Sequence, residues 1–452
     1  MRPIIITLYS SLIIIYTISR FWDNLFFSYA VGILAVLSLA SASFYASGLY
    51  KKSGLAFLIL ASILFVYNGT AWSSFFLYFD SMIGILSLFF VLPFLNSIIR
   101  AGQYDTSLRR LLQNGVHDLH TLYTRSFLIS HFLGLFLNIA TVSLVHRTLK
   151  PSLSGMKTKM ADIFYTRSIL RGYALCLVWS PIEIMVIISL DLTGYSYINV
   201  VPFLIPLVLL MFFSDWIFSR RQYKDLPLVM ENSGSIPLKK IIRKTAQMMG
   251  MLCVLVLTAT LFEYLFEKGF LFSVVLSIVP IAFIWALLIN RRRRYLNIAV
   301  PVFKERTFFL SNYFFMFLSA GFFVEMLSAS PFIAYLEAVF LTNTEHELLL
   351  FGLIGLYFIL ASFSGFHPLV SIALLGEVLS PVLADISSIS LALVLITSSL
   401  ATAIYSPYNL SVSLLAGQMN LVPFQLSFWN LPFSLYFIGS SILIAYGLTF
   451  IL

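Results

Sequence analysis

The sequence predicts an all-α polytopic membrane protein, an inverted repeat of about eleven transmembrane helices with two re-entrant hairpins and two broken helices. Three observations predict it. The first is composition: of 452 residues, 60% are hydrophobic and 10% charged, where a soluble domain carries about 25% charged residues. The second is a pair of interrupted apolar stretches. Residues 175–192 carry Ser180-Pro181-Ile182-Glu183 in their middle, and residues 400–417 carry Ser406-Pro407-Tyr408-Asn409. The prolines stand 226 positions apart, and at that offset Ser180 meets Ser406 and Glu183 meets Asn409 without a gap. The third is the placement of Lys and Arg in short stretches between apolar segments, where the positive-inside rule puts them.

A span needs about 20 apolar residues. Expected spans are 3–19, 26–48, 54–79, 81–99, 168–190, 197–218, 247–266, 269–290, 308–327, 386–417 and 427–450. Arg2 ahead of an apolar run also fits a signal peptide; the spans that follow favour a retained first helix. With the N-terminus in the cytoplasm, Lys51 and Lys52 are inside, and so are Arg100, Arg109 and Arg110. Arg147, Lys150, Lys157, Lys159 and Arg167 are parted from that second cluster by a single apolar segment, 126–145. Both clusters stay inside only if this segment dips into the membrane and returns. The second half repeats the arrangement. Segment 348–378 is interrupted at Ser364-Gly365-Phe366-His367-Pro368, and the 226 offset lays Asn138 on Ser364 and Thr141 on His367. It opens outward, so the halves have opposite orientation and the C-terminus is outside. The expected divisions are an N-terminal span at 1–24, a first repeat at 25–218, a cytoplasmic basic linker at 219–245 and a second repeat at 246–452.

Proline removes a backbone donor and clashes with the turn before it, so a helix breaks there. A break inside lipid survives where its peptide groups face protein, a ligand or a water-filled cavity. Two interrupted apolar segments at matching places in two halves point to a transporter binding site. The plainer reading of each is a proline kink.

Span, hairpin, broken helix and span, repeated in inverted order, resembles the ion transporter superfamily, with divalent anion/sodium symporters and arsenite-pump-like members as the comparison. Those families carry a Ser-Asn-Thr-type motif at each hairpin tip and a Gly-Thr-Pro-Pro-Asn-type motif in the following broken helix. Ser406-Pro407-Tyr408-Asn409 is similar to the second motif, and Ser180-Pro181-Ile182-Glu183 is a looser match. The tips, Asn138-Ile139-Ala140-Thr141 and Ser364-Gly365-Phe366-His367, keep the polarity and not the motif. The resemblance implies an elevator-like secondary transporter and a homodimer formed through the early spans of each repeat.

The expected substrate site joins Asn138, Thr141, Ser180, Pro181, Ser364, His367, Ser406, Pro407 and Asn409, with Glu183 as the residue that couples transport to a sodium ion or a proton. A carboxylate within a span costs about 2.5–3.5 kcal/mol on insertion scales and usually faces a cavity; its plainer role is to accept hydrogen bonds at a free helix end. Arg171 is read as snorkelling to the cytoplasmic surface, or as a counter-ion for an anionic solute. Arg291 to Arg294 form a topology anchor at the lipid head groups. The net charge of +9 follows the loops and implies no nucleic-acid partner. Cys176 and Cys253 both lie in apolar stretches and suggest neither a disulfide framework nor a zinc site. No cofactor and no metal site is expected. The function expected is secondary transport of a small anionic solute across the plasma (inner) membrane. The alternative is a membrane-embedded transferase or a flippase acting on a lipid-linked substrate, with His346, Glu347 and His367 as its only residues.

Overall fold

A computed structural model describes residues 2–22, 24–104, 116, 118–153, 156–223, 238–341, 346–379, 383 and 389–451. Arg109, Arg110, His117, Asp385 and the middle of the basic linker lie outside them. Among the described residues the regular elements are all helices. They run α1 (Arg2–Ser19), α2 (Leu25–Tyr45), α3 (Gly48–Tyr67), a 3-10 helix (Trp72–Phe79), α4 (Ile83–Gly102), α5 (Leu119–Leu137), α6 (Ala140–Leu149), α7 (Thr158–Leu177), α8 (Ile184–Thr193) and α9 (Tyr197–Tyr223). The second half continues with α10 (Leu238–Phe266), α11 (Phe270–Leu288), α12 (Arg292–Phe309), α13 (Ser311–Ser328), α14 (Ile333–Leu341), α15 (Glu347–Phe363), α16 (Pro368–Leu379), α17 (Ile389–Tyr405), α18 (Leu410–Met419) and α19 (Pro423–Leu448).

Among the described residues eight helices are long and apolar enough to cross a membrane, or nine if the pair α12 and α13 counts as one. That is fewer than the eleven expected, for local reasons. The first expected span, 3–19, is an apolar helix too short to be counted, while the expected span 54–79 is kept but ends early: α3 stops at Asn68, Gly69 follows at φ +64°, and the chain continues as the 3-10 helix. The expected span 168–190 is cut into α7 and α8, and neither piece passes alone. In place of a straight span at 308–327, α12 and α13 meet at a bend of 49°.

The chain divides into two compact units, and each draws on both halves of the sequence. The first holds residues 1–101, 258–343 and 373–384, and the second holds 102–257, 344–372 and 385–452. In the first unit α13 packs along α3 and α2, and α1 packs on α2. Aromatic side chains fill these seams: Phe322 stacks on Phe79 with centroids 4.6 Å apart, and Tyr313 stacks on Phe89 at 4.7 Å.

In the second unit α5 packs along α7, and α17 packs along α19, α15, α8 and α7. The α5–α7 seam is close because of glycine. A Cβ on Gly172 would lie 2.4 Å from the Phe127 carbonyl oxygen, and one on Gly134 would lie 2.3 Å from the Cys176 sulfur. A backbone oxygen cannot swing aside as a side chain can. Gly172→Ala should therefore cost about 1–3 kcal/mol of stability by overpacking. Gly417→Ala, where nothing lies within 4 Å, should be neutral or slightly stabilising. Thermal unfolding of both variants in one detergent checks this; equal melting temperatures would show that the seam is loose.

Candidate functional site

All ten residues expected at the site fall in the second compact unit. Within it, helix boundaries recur at the spacing of the two prolines. The helices that follow the breaks, Ile184–Thr193 and Leu410–Met419, match at both ends when shifted by 226. Each is led by an extended residue, Glu183 or Asn409, and closed by a left-handed one, Gly194 at φ 70° or Asn420 at φ 55°. The same shift carries the end of α5 at Leu137 onto the end of α15 at Phe363, and the start of α9 at Tyr197 onto the start of α19 at Pro423.

At the second break Pro407 cannot donate, and the carbonyls of the preceding turn lose their helical partners. Side chains replace them. The Ser411 hydroxyl donates to the Ala403 carbonyl at 2.6 Å. The Asn430 amide reaches the Ile404 carbonyl at 3.4 Å, and the Ser413 hydroxyl donates to the Pro407 carbonyl at 2.8 Å. Asn409 caps α18: its side-chain oxygen accepts from the Ser411 amide at 3.1 Å. At the first break the Ser180 amide turns back to the Leu177 carbonyl at 3.0 Å, and the Glu183 amide to the Ser180 carbonyl at 3.1 Å. The Tyr197 hydroxyl donates to the Trp179 carbonyl. Glu183 stands where Asn409 does, half-buried, with its carboxylate facing the Ile184 and Met185 amides at the start of α8.

The turns pack on the broken helices of their own half. Asn138 ends α5 at φ 48°, and its side-chain oxygen accepts from the Tyr173 hydroxyl on α7 at 2.6 Å. Thr141 is fully buried, and among the described residues its hydroxyl has no hydrogen-bond partner. In the second half Ser406 is buried and its hydroxyl donates to the Ser362 carbonyl at 3.1 Å. Gly365, at φ 91°, lets the turn lie against the Tyr408 ring, 3.8 Å from where a Cβ would stand. Ser364 is exposed and bonds back to Leu360 at 2.8 Å. His367 uses Nδ1 to accept from the Leu369 amide at 3.3 Å. Pro181 and Pro407 are both buried. The halves meet through α17, which packs on α7 and α8, and through α6 and α18, where Gln418 donates to Ser143.

Arg171 does not snorkel to a surface. It is 7% exposed and paired with Asp215 on α9, itself 2% exposed. The Arg171 Nε donates to Asn430 Oδ1 at 2.9 Å, the Tyr123 hydroxyl donates to Asp215 Oδ2 at 2.8 Å, and the guanidinium lies 4.4 Å over the Phe433 ring. Asn430 also reaches the Thr166 carbonyl at 3.3 Å. Sequence reasoning passed over Asp215 and Asn430, although the signal was present: Asp215 is the one acidic residue in its apolar stretch, and an acid there calls for a buried partner.

No family model and no curated protein matches the chain. Among solved structures its fold matches the crystal structure of the Alcanivorax borkumensis YdaH transporter, described for an unusual topology. The TM-score is 0.61 and the identity 14%, over 88% of this chain and 98% of that one. At this identity the likeness is one of fold. With its apolar helices it makes the chain an integral membrane protein.

Removing one member of a buried ion pair leaves the other charge uncompensated and costs about 3–5 kcal/mol, while apolar replacement of both is often nearly neutral. Asp215→Ala should lower the melting temperature sharply. Adding Arg171→Leu should restore at least half of the loss. If the double variant is as unstable as the sum of the two singles, the residues do not act as a pair.

Proposed function

We propose that the chain is a secondary active transporter that moves a small anionic solute across the plasma (inner) membrane, coupled to a cation or proton. The observation that carries this reading is the pair of matched breaks within one compact unit. A broken helix aims a positive N-terminal end at an anion, while unwound carbonyls coordinate a cation. The fold it shares with a protein described as a transporter supports the same reading. So does its resemblance to the ion transporter superfamily, with α5–α6 and α15–α16 as re-entrant hairpins of two inverted repeats, the N-terminus in the cytoplasm and the C-terminus outside.

Glu183 is the coupling residue in this proposal. Asn409 spends a neutral side-chain oxygen on capping α18, whereas Glu183 brings a carboxylate to the equivalent place, where a cation or a proton can neutralise it. The buried Thr141 hydroxyl without a partner is the natural contact for the solute beside it. The hairpins and broken helices travel as one body in an elevator-like cycle, and the protein works as a homodimer.

Uptake of labelled small anions into proteoliposomes tests the function. Product formation from a lipid-linked donor, or lipid scrambling without uptake, would favour a transferase or flippase instead. Glu183→Gln should fold normally and lose most of its transport, as expected of a functional intramembrane acid, or lose its sodium or pH dependence. An unchanged rate with unchanged ion dependence would reduce Glu183 to a structural contact. For the first hairpin, cysteines introduced at Arg110 and Lys157 should label from the same, cytoplasmic side. Labelling from opposite sides would sink the inverted-repeat reading.

A further inference from the structure

α12 stands apart from the apolar helices around it. Arg291, Arg292, Arg293, Arg294, Lys304 and Arg306 lie in or next to it, against one acid, Glu305. All are exposed. Charges at both ends of the helix exclude it from the hydrocarbon core. It follows α11, which is long and apolar enough to cross a membrane, so α12 begins at a membrane boundary. The chain reverses at Asn290, in the left-handed region at φ 54°, and α12 then packs against α11 and α1 within the first unit.

Helical spacing resolves three faces. Tyr295, Ala299 and Phe303 lie on one; Tyr295 and Ala299 are buried, and Phe303 meets the rings of Phe90 and Phe94 at 4.9 and 5.1 Å. Asn297, Pro301 and Glu305 recur every fourth residue on a second face and are exposed. Between the two runs a third line, Arg293, Leu296, Val300 and Lys304, spaced i, i+3, i+7, i+11 on one side of the helix. All four are exposed, with apolar residues in the middle and a cation at each end. Exposed Leu and Val are explained by an apolar phase, and flanking cations by negative charge above it. An interfacial helix combines both.

The geometry points to a site for anionic phospholipid on this flank of α12: acyl chains cover Leu296 and Val300, and head-group phosphates meet Arg293 and Lys304. The two cations are about 16 Å apart along the axis at the helical rise. That is too far for one phosphodiester, so the site takes two head groups. This binding does not depend on what the protein transports.

The test uses the full chain purified in a neutral detergent, with melting temperature read after adding phosphatidylglycerol, phosphatidylcholine or inorganic phosphate. Phosphatidylglycerol should raise the melting temperature more than phosphatidylcholine does, and inorganic phosphate should not raise it. Arg293→Gln with Lys304→Gln should at least halve the phosphatidylglycerol-specific shift. Arg293→Lys with Lys304→Arg should keep it, which separates charge from general damage to the helix. Arg220→Gln with Arg221→Gln, a basic pair on α9, should also keep it. An undiminished shift in the Gln pair, a shift equally lost in the charge-keeping pair, an equal response to both lipids, or a matching response to inorganic phosphate would each overturn the assignment.

Discussion

A peptide group within a membrane protein must find its partner in the protein, and a proline in mid-helix takes one away. The second compact unit is built around two such losses. Next to Pro407 the freed carbonyls are served by Ser411, Ser413 and Asn430, and next to Pro181 the Trp179 carbonyl is served by Tyr197. Ser411 and Ser413 come from the helix after the break. Asn430 and Tyr197 come from the long helices that follow, α19 and α9. The breaks are thus held open in part locally and in part by Asn430 and Tyr197, which act only once those long helices have packed. The short helices α8 and α18 then start from extended residues at equivalent positions.

Asn430 does more than satisfy the break. It accepts from Arg171, which is paired with Asp215, which accepts from Tyr123. One polar cluster therefore touches α5, α7, α9, α19 and, through Ile404, the end of α17. A buried ion pair is poor evidence for stability, since the desolvation of each ion costs several kcal/mol. What it supplies is a fixed arrangement, because each member is held by hydrogen bonds from a different helix. Both breaks and both turns lie in this one compact unit, which is the arrangement the proposed transport cycle requires.

Much of the candidate site was legible because proline and offset are local signals. Pro181 and Pro407 mark their own breaks, and the 226 shift between them recurs in the bounds of α8 and α18. The turns at Asn138 and at Ser364 to His367 were legible from polar residues inside apolar runs. Less visible was the difference between the two equivalent caps. How each side chain meets the helix it leads, Asn409 through the Ser411 amide and Glu183 facing the Ile184 and Met185 amides, depends on side-chain reach and neighbours. Arg171 was misread for a similar reason. Near the start of an apolar stretch an arginine has a surface within reach, and only the arrival of Asp215 from another helix makes the interior favourable.

The sequence by itself determined that the chain belongs in a membrane, where its helices break, and which residues lead the helices after the breaks. Those properties follow from the hydrophobic content of a window and from the covalent chemistry of proline. Only the tertiary structure decided which segments share a compact unit, that Asn430 bridges a buried ion pair to a broken helix, and that α12 turns away from α13 with a basic and apolar flank uncovered. Those depend on which helices become neighbours, and residues far apart in the chain carry no local mark of that.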